Sequence, residues 1–434
     1  MSLTVAARRF DSSPSSTSAR KSPNASGADA TKTTTKRKDR DADAPNWRLD
    51  ATPAMNLSGT RCAQWADAAL DGRPVGANDA LAMLSDSQLD AMDLIHAAGR
   101  VRRARFDNTV TIHILDNVRN GACPEDCGYC GQSRDSTAPL KPYKLKPVDE
   151  IVADAHAARR SGAYRFCMAI SGRGPSNADV NHMCDAIQRI SAMGMRTCLS
   201  AGLLDRAKAD RLKAAGLDRL NHNLNTSSRH YPNVCSTHTY DERRDTLTAA
   251  RSAGLGVCSG LIVGMGETHQ DVVDVAFELK RIGAESVPVN FLLPIGGNRL
   301  AAPHCQGEPL TPLFVLRVLC MMRLINPNSE IRIAAGREHH LRSLQPLALW
   351  PANSLFMDGY LLTQGQSAHD TFHMILDAGF KPHLDNPHEL PDELRDRITR
   401  GVDGSRPTVL PSVDSALPEG RTLLKPTVTA QPNP

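Results

Sequence analysis

Short apolar runs alternate with longer stretches of helical periodicity through the middle of the chain. The runs rich in β-branched and apolar residues, which we predict as strands, are Val110–Leu115, Tyr164–Ile170, Arg196–Ser200, Arg219–Leu224, Gly256–Val263, Ser286–Leu292, Glu330–Ala334 and Ala352–Phe356. The stretches that we predict as helices are Val148–Arg160, Asn177–Met193, Leu204–Ala215, Tyr240–Ser252, Gln270–Ile282, Pro312–Ile325 and Ala368–Ala378.

This alternation predicts a parallel sheet, because a helical crossover returns each strand in the same direction. Eight strands over about 280 residues match an α/β fold of the (β/α)₈ TIM-type barrel class, whose usual size is about 250 residues. An open, doubly wound sheet is the structural alternative, but no GxGxxG fingerprint follows a strand in this sequence. Barrel active sites lie at the carboxyl ends of the strands, so we expect the chemistry there.

The chain divides by composition into four parts. Residues 1–55 are rich in Ser, Thr and basic side chains and poor in large apolar ones, so we predict a disordered extension. Residues 56–98 are predicted to form a helical segment, and residues 99–380 the barrel. Residues 381–434 are polar and rich in proline, which interrupts regular structure, so we predict a disordered tail.

Composition and charge argue against two classes of partner. The 434 residues are 41% hydrophobic, enough for a large core, and carry a net charge of +4. The basic excess lies near the N-terminus, at Lys32, Lys36, Arg37, Lys38 and Arg40. Because this excess is small, we expect no nucleic-acid partner. No apolar run reaches the ~18 residues of a membrane-spanning helix, so we expect no membrane partner.

The expected location is cytoplasmic. No secretory signal is visible, and cysteines in a long chain of this kind are expected to remain thiols in a reducing compartment. An organelle is the alternative, since the first 22 residues resemble a transit peptide in having several basic residues and one acid, Asp11. Those basic residues are Arg8, Arg9, Arg20 and Lys21.

Three of the eleven cysteines stand close together between Gly121 and Ser133, at Cys123, Cys127 and Cys130. Their CxxxCxxC spacing offers three thiolates to a cluster of four irons and leaves one iron free to bind a small molecule. A zinc site would need a fourth Cys or His ligand, and no second CxxC completes one. A disulfide framework is typical of small secreted chains. The spacing therefore favours an iron–sulfur cluster.

Four further side chains are unusual because they lie inside predicted strands. They are Cys167, Cys198, Cys258 and Arg332. A single strand cysteine is usually an inert core residue, and that remains the ordinary interpretation of each of the three. A buried guanidinium is costly unless it is paired or hydrogen-bonded to an anion, so Arg332 is harder to explain. Three thiolates and one cation that converged inside a barrel would suit an anionic iron–sulfur centre.

The sequence gives no role to the remaining cysteines, which are Cys62, Cys184, Cys235, Cys305 and Cys320. Cys184 and Cys320 lie in helical patterns, where core packing is the natural interpretation. Cys235 and Cys305 lie in loops. The histidines show no reliable metal-binding spacing, including those at His182, His222, His230 and His238.

The cysteine triplet resembles the signature of the radical S-adenosylmethionine (SAM) enzymes, and the ordered strand motifs resemble those of the biotin synthase family. The resemblance covers about residues 98–380. The segments that carry it are Asn120–Ser133, Tyr164–Met168, Asn221–Ser227, Val257–Gly260, Ser286–Asn290 and Ile331–Glu338. The CxxxCxxC spacing alone indicates only the superfamily, whereas the set of strand motifs is much more specific.

The resemblance implies a radical sulfur-insertion reaction on a TIM-type barrel. In that reaction dethiobiotin gains one sulfur between a methyl carbon and a methylene carbon, which closes the thiophane ring of biotin. Two unactivated C–H bonds must be broken, and no side-chain base tuned near neutrality removes such protons. The family obtains 5′-deoxyadenosyl radicals from SAM at a 4Fe–4S cluster, and a 2Fe–2S cluster donates the sulfur.

The same resemblance implies the ligands of both clusters. The residues expected to hold the 4Fe–4S cluster are Cys123, Cys127 and Cys130. Those expected to hold the 2Fe–2S cluster are Cys167, Cys198, Cys258 and Arg332. Arg332 is an unusual ligand, because a guanidinium is protonated at ordinary pH, and its role rests on the resemblance. The implied catalytic set is the cysteine triplet together with Arg332.

The residues implied in binding SAM or dethiobiotin are Tyr129, Asn223, Asn225, Asn290, Gly264 and Glu267. Asn223 and Asn290 are expected at the ribose or at the ureido ring, since an amide both donates and accepts hydrogen bonds. Capping of strand ends is the alternative for these two amides. Asn225 stands where several family members have an acid, and Tyr129 is expected near the adenine.

The family also implies an electron donor such as flavodoxin or ferredoxin, iron–sulfur assembly proteins and a homodimer. Other functions stay open from sequence alone. A different radical enzyme with the same open-iron cluster would lack the strand ligands. An iron–sulfur electron carrier would not cleave SAM, and a nucleic-acid-binding protein with a basic arm would show strongly salt-dependent affinity.

Overall fold

A closed barrel of parallel strands forms the centre of the protein. The computed structural model describes residues 60–360, 365–385 and 395. Its strands are β1 (Thr109–Arg119), β2 (Arg165–Ile170), β3 (Arg196–Ser200), β4 (Arg219–Asn221), β5 (Gly256–Cys258), β6 (Leu261–Val263), β7 (Ser286–Phe291), β8 (His304–Cys305), β9 (Glu308–Pro309), β10 (Glu330–Ile333), β11 (Ser354–Phe356) and β12 (Lys381–His383).

Strand pairing closes the barrel through β10. The order runs β1, β2, β3, β4, β5, β7, β10 and β11, and β11 pairs with β1 again. Every one of these pairs is parallel, and β6 continues the line of β5 along β7. The predicted (β/α)₈ barrel is confirmed. Outside the barrel wall, β8 and β9 form a small antiparallel pair, and β12 pairs with the start of β1.

The described helices precede β1, connect the barrel strands or follow β11. They are α1 (Arg61–Leu70), α2 (Ala77–Ser85), α3 (Ala91–Phe106), α4 (Val148–Arg160), α5 (Asn177–Ala192), α6 (Arg206–Ala214), α7 (Tyr240–Ser252), α8 (His269–Arg281), α9 (Pro312–Ile325), α10 (Arg337–Leu341) and α11 (Ala368–Asp377). Turns of 3₁₀ helix lie at Tyr231–Asn233 and Arg342–Leu349.

Local capping chemistry sets where several of the connecting helices begin. Reciprocal capping boxes start α5, α7 and α8, each with a Ser or Thr at the N-cap and an acid three residues later. In α7, for example, the Thr239 hydroxyl accepts from the Glu242 amide while the Glu242 carboxylate accepts from the Thr239 amide. These bonds satisfy amides that a helix leaves unpaired at its first turn.

The predicted strand Gly256–Val263 is interrupted in the structure at Ser259 and Gly260. A Cβ on Gly260 would lie 1.8 Å from the carbonyl oxygen of Pro288, so the two backbones approach as closely as glycine allows. Pro288 sits in the middle of β7 and has no amide hydrogen to donate. The paired strand therefore divides into β5 and β6 around this contact.

Two secondary-structure elements do not respect the predicted domain boundaries. Helix α3 continues past residue 98 to Phe106 and leads directly into β1. At the other end, Lys381–His383 form β12, although the predicted tail starts at residue 381. The predicted disordered extension at residues 1–55, and residues 386–434 of the predicted tail apart from residue 395, lie outside the described residues.

Helices α1, α2 and α3 pack against α9. Helix α9 is apolar and buried along most of its length, including Leu319 and Met322. It therefore forms a layer between the N-terminal helices and the barrel wall. Within the described residues, no helix combines the length and the apolar character needed to cross a bilayer.

Candidate active site

The cysteine triplet lies on the loop that follows β1, at the carboxyl end of the barrel strands. The loop turns sharply at Gly121, where φ is +75°, and a Cβ there would lie 2.8 Å from the Cβ of Pro142. The Gly121 amide donates to Oε1 of Gln132 at 3.0 Å, which joins the two ends of the loop. The sequence therefore folds this loop back on itself around its cysteines.

The middle of the loop is held from both sides at Gly128. Its amide donates to the Val234 carbonyl at 2.9 Å, and its carbonyl accepts from the Leu300 amide at 2.8 Å. A Cβ on Gly128 would lie 2.9 Å from a guanidinium nitrogen of Arg299. Glycine at this position therefore allows the stretch between Cys127 and Cys130 to sit between two other loops.

The three thiols of this loop are close to one another and shielded from water. Cys127 is buried, and Cys123 and Cys130 are partly buried. Burial raises the pKa of Cys130 to about 11, and the charge of Cys123 acts in the same direction. Metal binding displaces thiol protons, so three adjacent thiols of this kind form a suitable donor set for three irons of a 4Fe–4S cluster.

A second group of sulfurs converges inside the barrel. Cys167, Cys198 and Cys258 are at most 4% exposed, and Arg332 is 1% exposed. Cys198 makes side-chain contacts with both Cys167 and Cys258. A guanidinium nitrogen of Arg332 lies 3.8 Å from the Cys258 sulfur. All four sequence-predicted residues are therefore brought together, and three thiols with one cation suit an anionic iron–sulfur centre.

Arg332 is fixed in place by oxygen atoms on three sides. Its Nε donates to the Ser354 hydroxyl at 3.1 Å, and one terminal nitrogen donates to the Ser286 hydroxyl at 2.8 Å. The same nitrogen pairs with the carboxylate of Glu330. A buried guanidinium with these partners is compensated for its loss of water. These protein contacts therefore hold the fourth strand residue in one orientation.

Glu330 was not identified from the sequence as a site residue, although it begins the strand that carries Arg332. Its carboxylate pairs with Arg219 at 2.7 Å and with His113 at 3.1 Å. Burial opposes ionisation of Glu330, but the charge of the adjacent Arg332, the hydrogen bond from His113 and the charge of Arg219 hold its pKa well below the usual range. A fixed negative charge therefore lies directly behind Arg332.

His113 links this carboxylate to the sulfur group. Its Nε2 faces Glu330, and its Nδ1 lies 3.8 Å from the Cys167 sulfur. Burial lowers the pKa of His113 to about 3, and Arg332 acts in the same direction, so the ring is neutral at ordinary pH. The signal that could have marked it is a histidine between two isoleucines in the predicted strand Val110–Leu115.

Tyr129 and Asn225 meet across the mouth of the barrel. The Asn225 amide donates to the Tyr129 hydroxyl at 2.7 Å, and Asn225 has a left-handed backbone with φ of +69°. The Asn225 backbone pairs with Gly260 and Ile262, so the residue is fixed between two strand ends. The predicted adenine-side tyrosine and the predicted ribose-side amide are therefore neighbours.

Asn223 and Asn290 make hydrogen bonds to the backbone. The Asn223 side-chain oxygen accepts from the Gly260 amide at 3.1 Å. The Asn290 amide donates to the Leu261 carbonyl at 3.0 Å and accepts from the Ala335 amide at 3.1 Å. These contacts correspond to the strand-end capping alternative. The Asn223 oxygen also accepts from the Asn221 amide at 3.2 Å, so the capacity of Asn223 for a ligand lies in its side-chain nitrogen. Asn290 keeps capacity on both atoms, because its nitrogen carries two hydrogens and its oxygen two lone pairs.

Gly264 and Glu267 shape one turn after β6. The two oxygens of Glu267 accept from the amides of Gly264 and Met265, at 2.7 and 2.6 Å. Gly264 has φ of +109°, and a Cβ there would lie 2.8 Å from Leu310. Burial raises the pKa of Glu267. In the structure this carboxylate therefore organises the turn by contacts with its backbone.

The cysteine loop has a partner segment that the sequence did not reveal, Cys235–His238. Asp126 accepts from the amides of Ser236 and Thr237, at 2.9 and 3.2 Å. Glu125 accepts from the Thr237 hydroxyl at 2.6 Å and pairs with His238. Both acids of the CxxxCxxC loop are therefore bound by this segment. Only the spatial arrangement shows this, since more than one hundred residues separate the two segments.

Tyr360 lies close to both groups of thiols. It packs against the group that contains Cys167, Cys198 and Cys258. Burial raises its pKa, and the charges of Cys258, Cys167 and Cys130 act in the same direction. Tyr360 therefore packs beside the strand thiols and is near enough to Cys130 for its pKa to be affected by that thiol.

Family models match both halves of the barrel. Residues 118–279 match the Radical SAM superfamily. Residues 288–381 match the Biotin and Thiamin Synthesis associated domain. The first range contains the cysteine loop and the three strand cysteines, and the second contains Arg332.

Curated relatives are similar over most of their own length. The chain is 52% identical over 303 residues to a biotin synthase from Acaryochloris marina (strain MBIC 11017), covering 70% of this chain and 86% of that one. It is 54% identical over 292 residues to a biotin synthase from Leptospira interrogans serogroup Icterohaemorrhagiae serovar Lai (strain 56601), covering 67% and 82%. It is 43% identical over 313 residues to a biotin synthase from Bacillus cytotoxicus (strain DSM 22905 / CIP 110041 / 391-98 / NVH 391-98), covering 72% and 93%.

Solved structures share the fold at low sequence identity. Methylornithine synthase (PylB) has a TM-score of 0.64 and 19% identity, over 75% of this chain and 99% of that chain. The FeFe-hydrogenase maturase HydG from Carboxydothermus hydrogenoformans has a TM-score of 0.65 and 16% identity, over 77% and 87%. At these identities the likeness concerns the fold alone.

Proposed function

This chain belongs to the biotin synthase family, and from that premise we propose which of its residues carry out the family's reaction. The enzyme converts dethiobiotin to biotin by radical insertion of sulfur between two unactivated carbons. Its cofactors are a 4Fe–4S cluster, a 2Fe–2S cluster and SAM. The observation that carries the residue assignment is the convergence of three buried thiols and the guanidinium of Arg332 inside the barrel.

Cys123, Cys127 and Cys130 are assigned to the 4Fe–4S cluster. Three protein thiolates would leave one iron open to SAM, and the cluster, when bound, would supply the electron for the reductive cleavage of SAM. The chain's own contribution is to orient the thiols on a loop fixed at Gly121 and Gly128. Partial burial of these sulfurs keeps bulk water from the reacting centre.

Tyr129, Asn223, Asn225 and Asn290 are assigned to SAM and dethiobiotin. Their support is their position at the carboxyl ends of the barrel strands, close to the cysteine loop. Asn225 is oriented by its bond to Tyr129, and Asn290 by its bonds to two strand ends. Gly264 and Glu267 act through the turn that they shape, rather than through a direct bond from the carboxylate.

Cys167, Cys198, Cys258 and Arg332 are assigned to the 2Fe–2S cluster, which serves as the sulfur donor. The three thiols come from three different strands, and Arg332 comes from a fourth. Glu330 and the hydroxyls of Ser286 and Ser354 hold the guanidinium in one orientation. These partners balance the charge of Arg332 and position it beside the thiols.

A different radical enzyme is less consistent with these residues. Such an enzyme needs the open-iron cluster but not a second set of ligands in the barrel. Here the three strand thiols and Arg332 occupy the barrel interior together with Leu115 and Phe356. A plain electron carrier holds its cluster with four protein ligands, whereas the CxxxCxxC loop supplies three and leaves one iron for a small molecule.

We infer the remaining partners and the location from the family and the thiol chemistry. The partners are an electron donor such as flavodoxin or ferredoxin, iron–sulfur assembly proteins and a second copy of this chain in a homodimer. The location is the cytoplasm, where reducing conditions keep cysteine ligands free.

An anaerobic assay tests the proposed function. Reconstituted, reduced protein is incubated with SAM, with and without dethiobiotin, and both 5′-deoxyadenosine and biotin are measured by mass spectrometry. We expect biotin to form together with substrate-dependent cleavage of SAM. Cleavage without biotin would retain the radical mechanism and reject dethiobiotin as the substrate. No cleavage in protein that contains its clusters would reject the enzymatic function.

A further inference from the structure

Cys235, a cysteine with no role in the reaction described above, lies against one of the proposed cluster ligands. Its sulfur is 3.7 Å from the sulfur of Cys127, which is van der Waals contact. Both residues are buried, at 3% and 8% exposure. The contact joins Cys127 to a thiol 108 residues further along the chain. Cys127 therefore has a thiol partner outside the CxxxCxxC motif.

Asp126 holds the two cysteines side by side. It precedes Cys127, and its carboxylate accepts from the amide of Ser236, the residue after Cys235, at 2.9 Å. The same carboxylate lies 3.1 Å from the Cys235 sulfur. Asp126 thus joins the cysteine loop to the Cys235–His238 segment next to the two sulfurs. These hydrogen bonds hold the two segments together beside the contact between the sulfurs.

His238 completes a group with Cys127 and Cys235 whose ligand atoms all lie within 4.8 Å of one another. A zinc ion is one occupant that such a group suggests. The hydrogen bonds argue against it. Nε2 of His238 accepts from Arg243 at 2.8 Å, so the ring proton is on Nδ1, which faces Glu125. Metal on Nδ1 would place a proton on Nε2 against the guanidinium, so the group functions better as a thiol pair.

We propose that Cys127 and Cys235 form a reversible disulfide when the cluster is absent and a peroxide is present. One thiolate attacks an oxygen of hydrogen peroxide, the O–O bond breaks, and a sulfenic acid and one water form. The second thiol attacks that sulfur, the S–S bond forms, the S–O bond breaks, and a second water leaves. Two thiols lose two electrons and two protons in total, and one peroxide is reduced to two waters.

The disulfide protects the cluster site. A sulfenic acid that is not captured is oxidised further to sulfinic acid, which thiols do not reverse. Capture by Cys235 stops the oxidation at a state that a thiol reductant returns to two thiols. While it exists, the disulfide also withholds Cys127 from iron. This consequence rests on the proposed role of Cys127 as a cluster ligand, whereas formation of the disulfide does not.

Peptide mapping tests the disulfide directly. Cluster-free protein, prepared anaerobically with a chelator, receives one equivalent of hydrogen peroxide, and free thiols are then alkylated. Trypsin should release residues 120–134 and 230–243 as separate peptides, since Arg119, Arg134, Arg229 and Arg243 bound them. We expect a cross-linked pair joined through Cys127 and Cys235 that a phosphine reductant separates. Pairing of Cys127 mainly with Cys123 or Cys130, or overoxidised Cys127 beside an alkylated Cys235, would overturn the proposal.

A Cys235 variant tests whether this thiol protects Cys127 from irreversible oxidation or only lies close to it. After peroxide, reduction and reconstitution, Cys235→Ser should recover several-fold less 4Fe–4S absorbance than the wild-type chain, with Cys127 found as sulfinic acid. Cys305→Ser, which removes a buried thiol elsewhere, should recover like wild type. Equal recovery in both variants would overturn the protective role. Reconstitution of Cys127→Ala without peroxide tests the ligand role separately, so failure of one proposal does not mimic failure of the other.

Discussion

Cys167 and Cys198 occupy directly paired positions on the neighbouring parallel strands β2 and β3. In a parallel pair, aligned residues project to the same face of the sheet, so the two sulfurs enter the barrel side by side. Cys258 reaches the same place from β5. The register of the strands therefore creates the sulfur group, whereas the cysteine triplet is created by the fold of a single loop.

Substitution of one cysteine in each group should separate two chemical events. Cys123→Ala should abolish 5′-deoxyadenosine formation, because it removes a ligand of the cluster that binds SAM. Cys198→Ala should impair the 2Fe–2S cluster and biotin formation while some uncoupled SAM cleavage continues. Both products are measured by mass spectrometry under anaerobic conditions. Cys320→Ala, in the core of α9, is the matched control and should retain both activities. Equal loss of the 4Fe–4S spectrum in Cys123→Ala and Cys198→Ala would contradict two separate sites.

Glu330→Gln should weaken the sulfur-donor site without affecting the cysteine loop. The amide keeps the size of the side chain but removes the charge that balances Arg332 and Arg219, and breaking a buried ion pair costs about 3–5 kcal/mol. We expect a lower unfolding temperature, several-fold less 2Fe–2S cluster and normal 4Fe–4S content. Iron and sulfide analysis with calorimetry measures these effects. The exposed Glu308→Gln is the control, and wild-type 2Fe–2S content in Glu330→Gln would refute a positioning role.

Asn225→Gly removes the amide from the SAM site without straining the backbone, because glycine accepts the φ of +69° found there. The Tyr129 hydroxyl loses its donor, and an unmet hydrogen bond costs about 1–3 kcal/mol. The dissociation constant for SAM should rise by about tenfold, measured by equilibrium dialysis on protein that contains its clusters. Asn225→Asp should bind within about threefold of wild type, since several family members have an acid there. Unchanged SAM binding by Asn225→Gly would reject the contact.

Gly260→Ala should damage the barrel itself. Its new Cβ would lie 1.8 Å from the Pro288 carbonyl oxygen, so the strands on either side must move apart. Strain of this kind is among the mechanisms that destabilise a protein by several kcal/mol. We expect a sharply lower unfolding temperature or insoluble protein. Gly296→Ala is the matched control, because a Cβ there meets nothing within 4 Å. Equal unfolding temperatures for the two variants would contradict the close contact between Gly260 and the Pro288 carbonyl.

The barrel could be predicted from the sequence, because each of its strands and helices shows its own local pattern. Each strand is a short apolar run, each connecting helix shows its own periodicity, and the triplet spacing lies within one loop. The break at Gly260 was not accessible, since it arises from contact with Pro288 on another strand. A glycine inside an apolar run signals that such a contact is possible without saying where it occurs.

The proposed cluster ligands could be recognised in the sequence, whereas the residues that support them could not. Cys167, Cys198, Cys258 and Arg332 stand out as unusual residues in apolar strands, and the family resemblance gave them a role. Glu330 has no motif of its own, and only the closed barrel brings it against Arg219, which lies more than one hundred residues away. The Cys235–His238 segment likewise gains meaning only from its contact with the acids of the cysteine loop.

Mössbauer spectroscopy of ⁵⁷Fe-reconstituted protein tests most directly the central claim that two separate sets of residues hold two different clusters. Two variants are compared with wild type, one with Cys123, Cys127 and Cys130 changed to alanine, and one with Cys167, Cys198 and Cys258 changed to alanine. The account predicts that the first loses the 4Fe–4S signal and keeps the 2Fe–2S signal, and that the second shows the reverse. Loss of both signals in either folded variant, or retention of both, would contradict it.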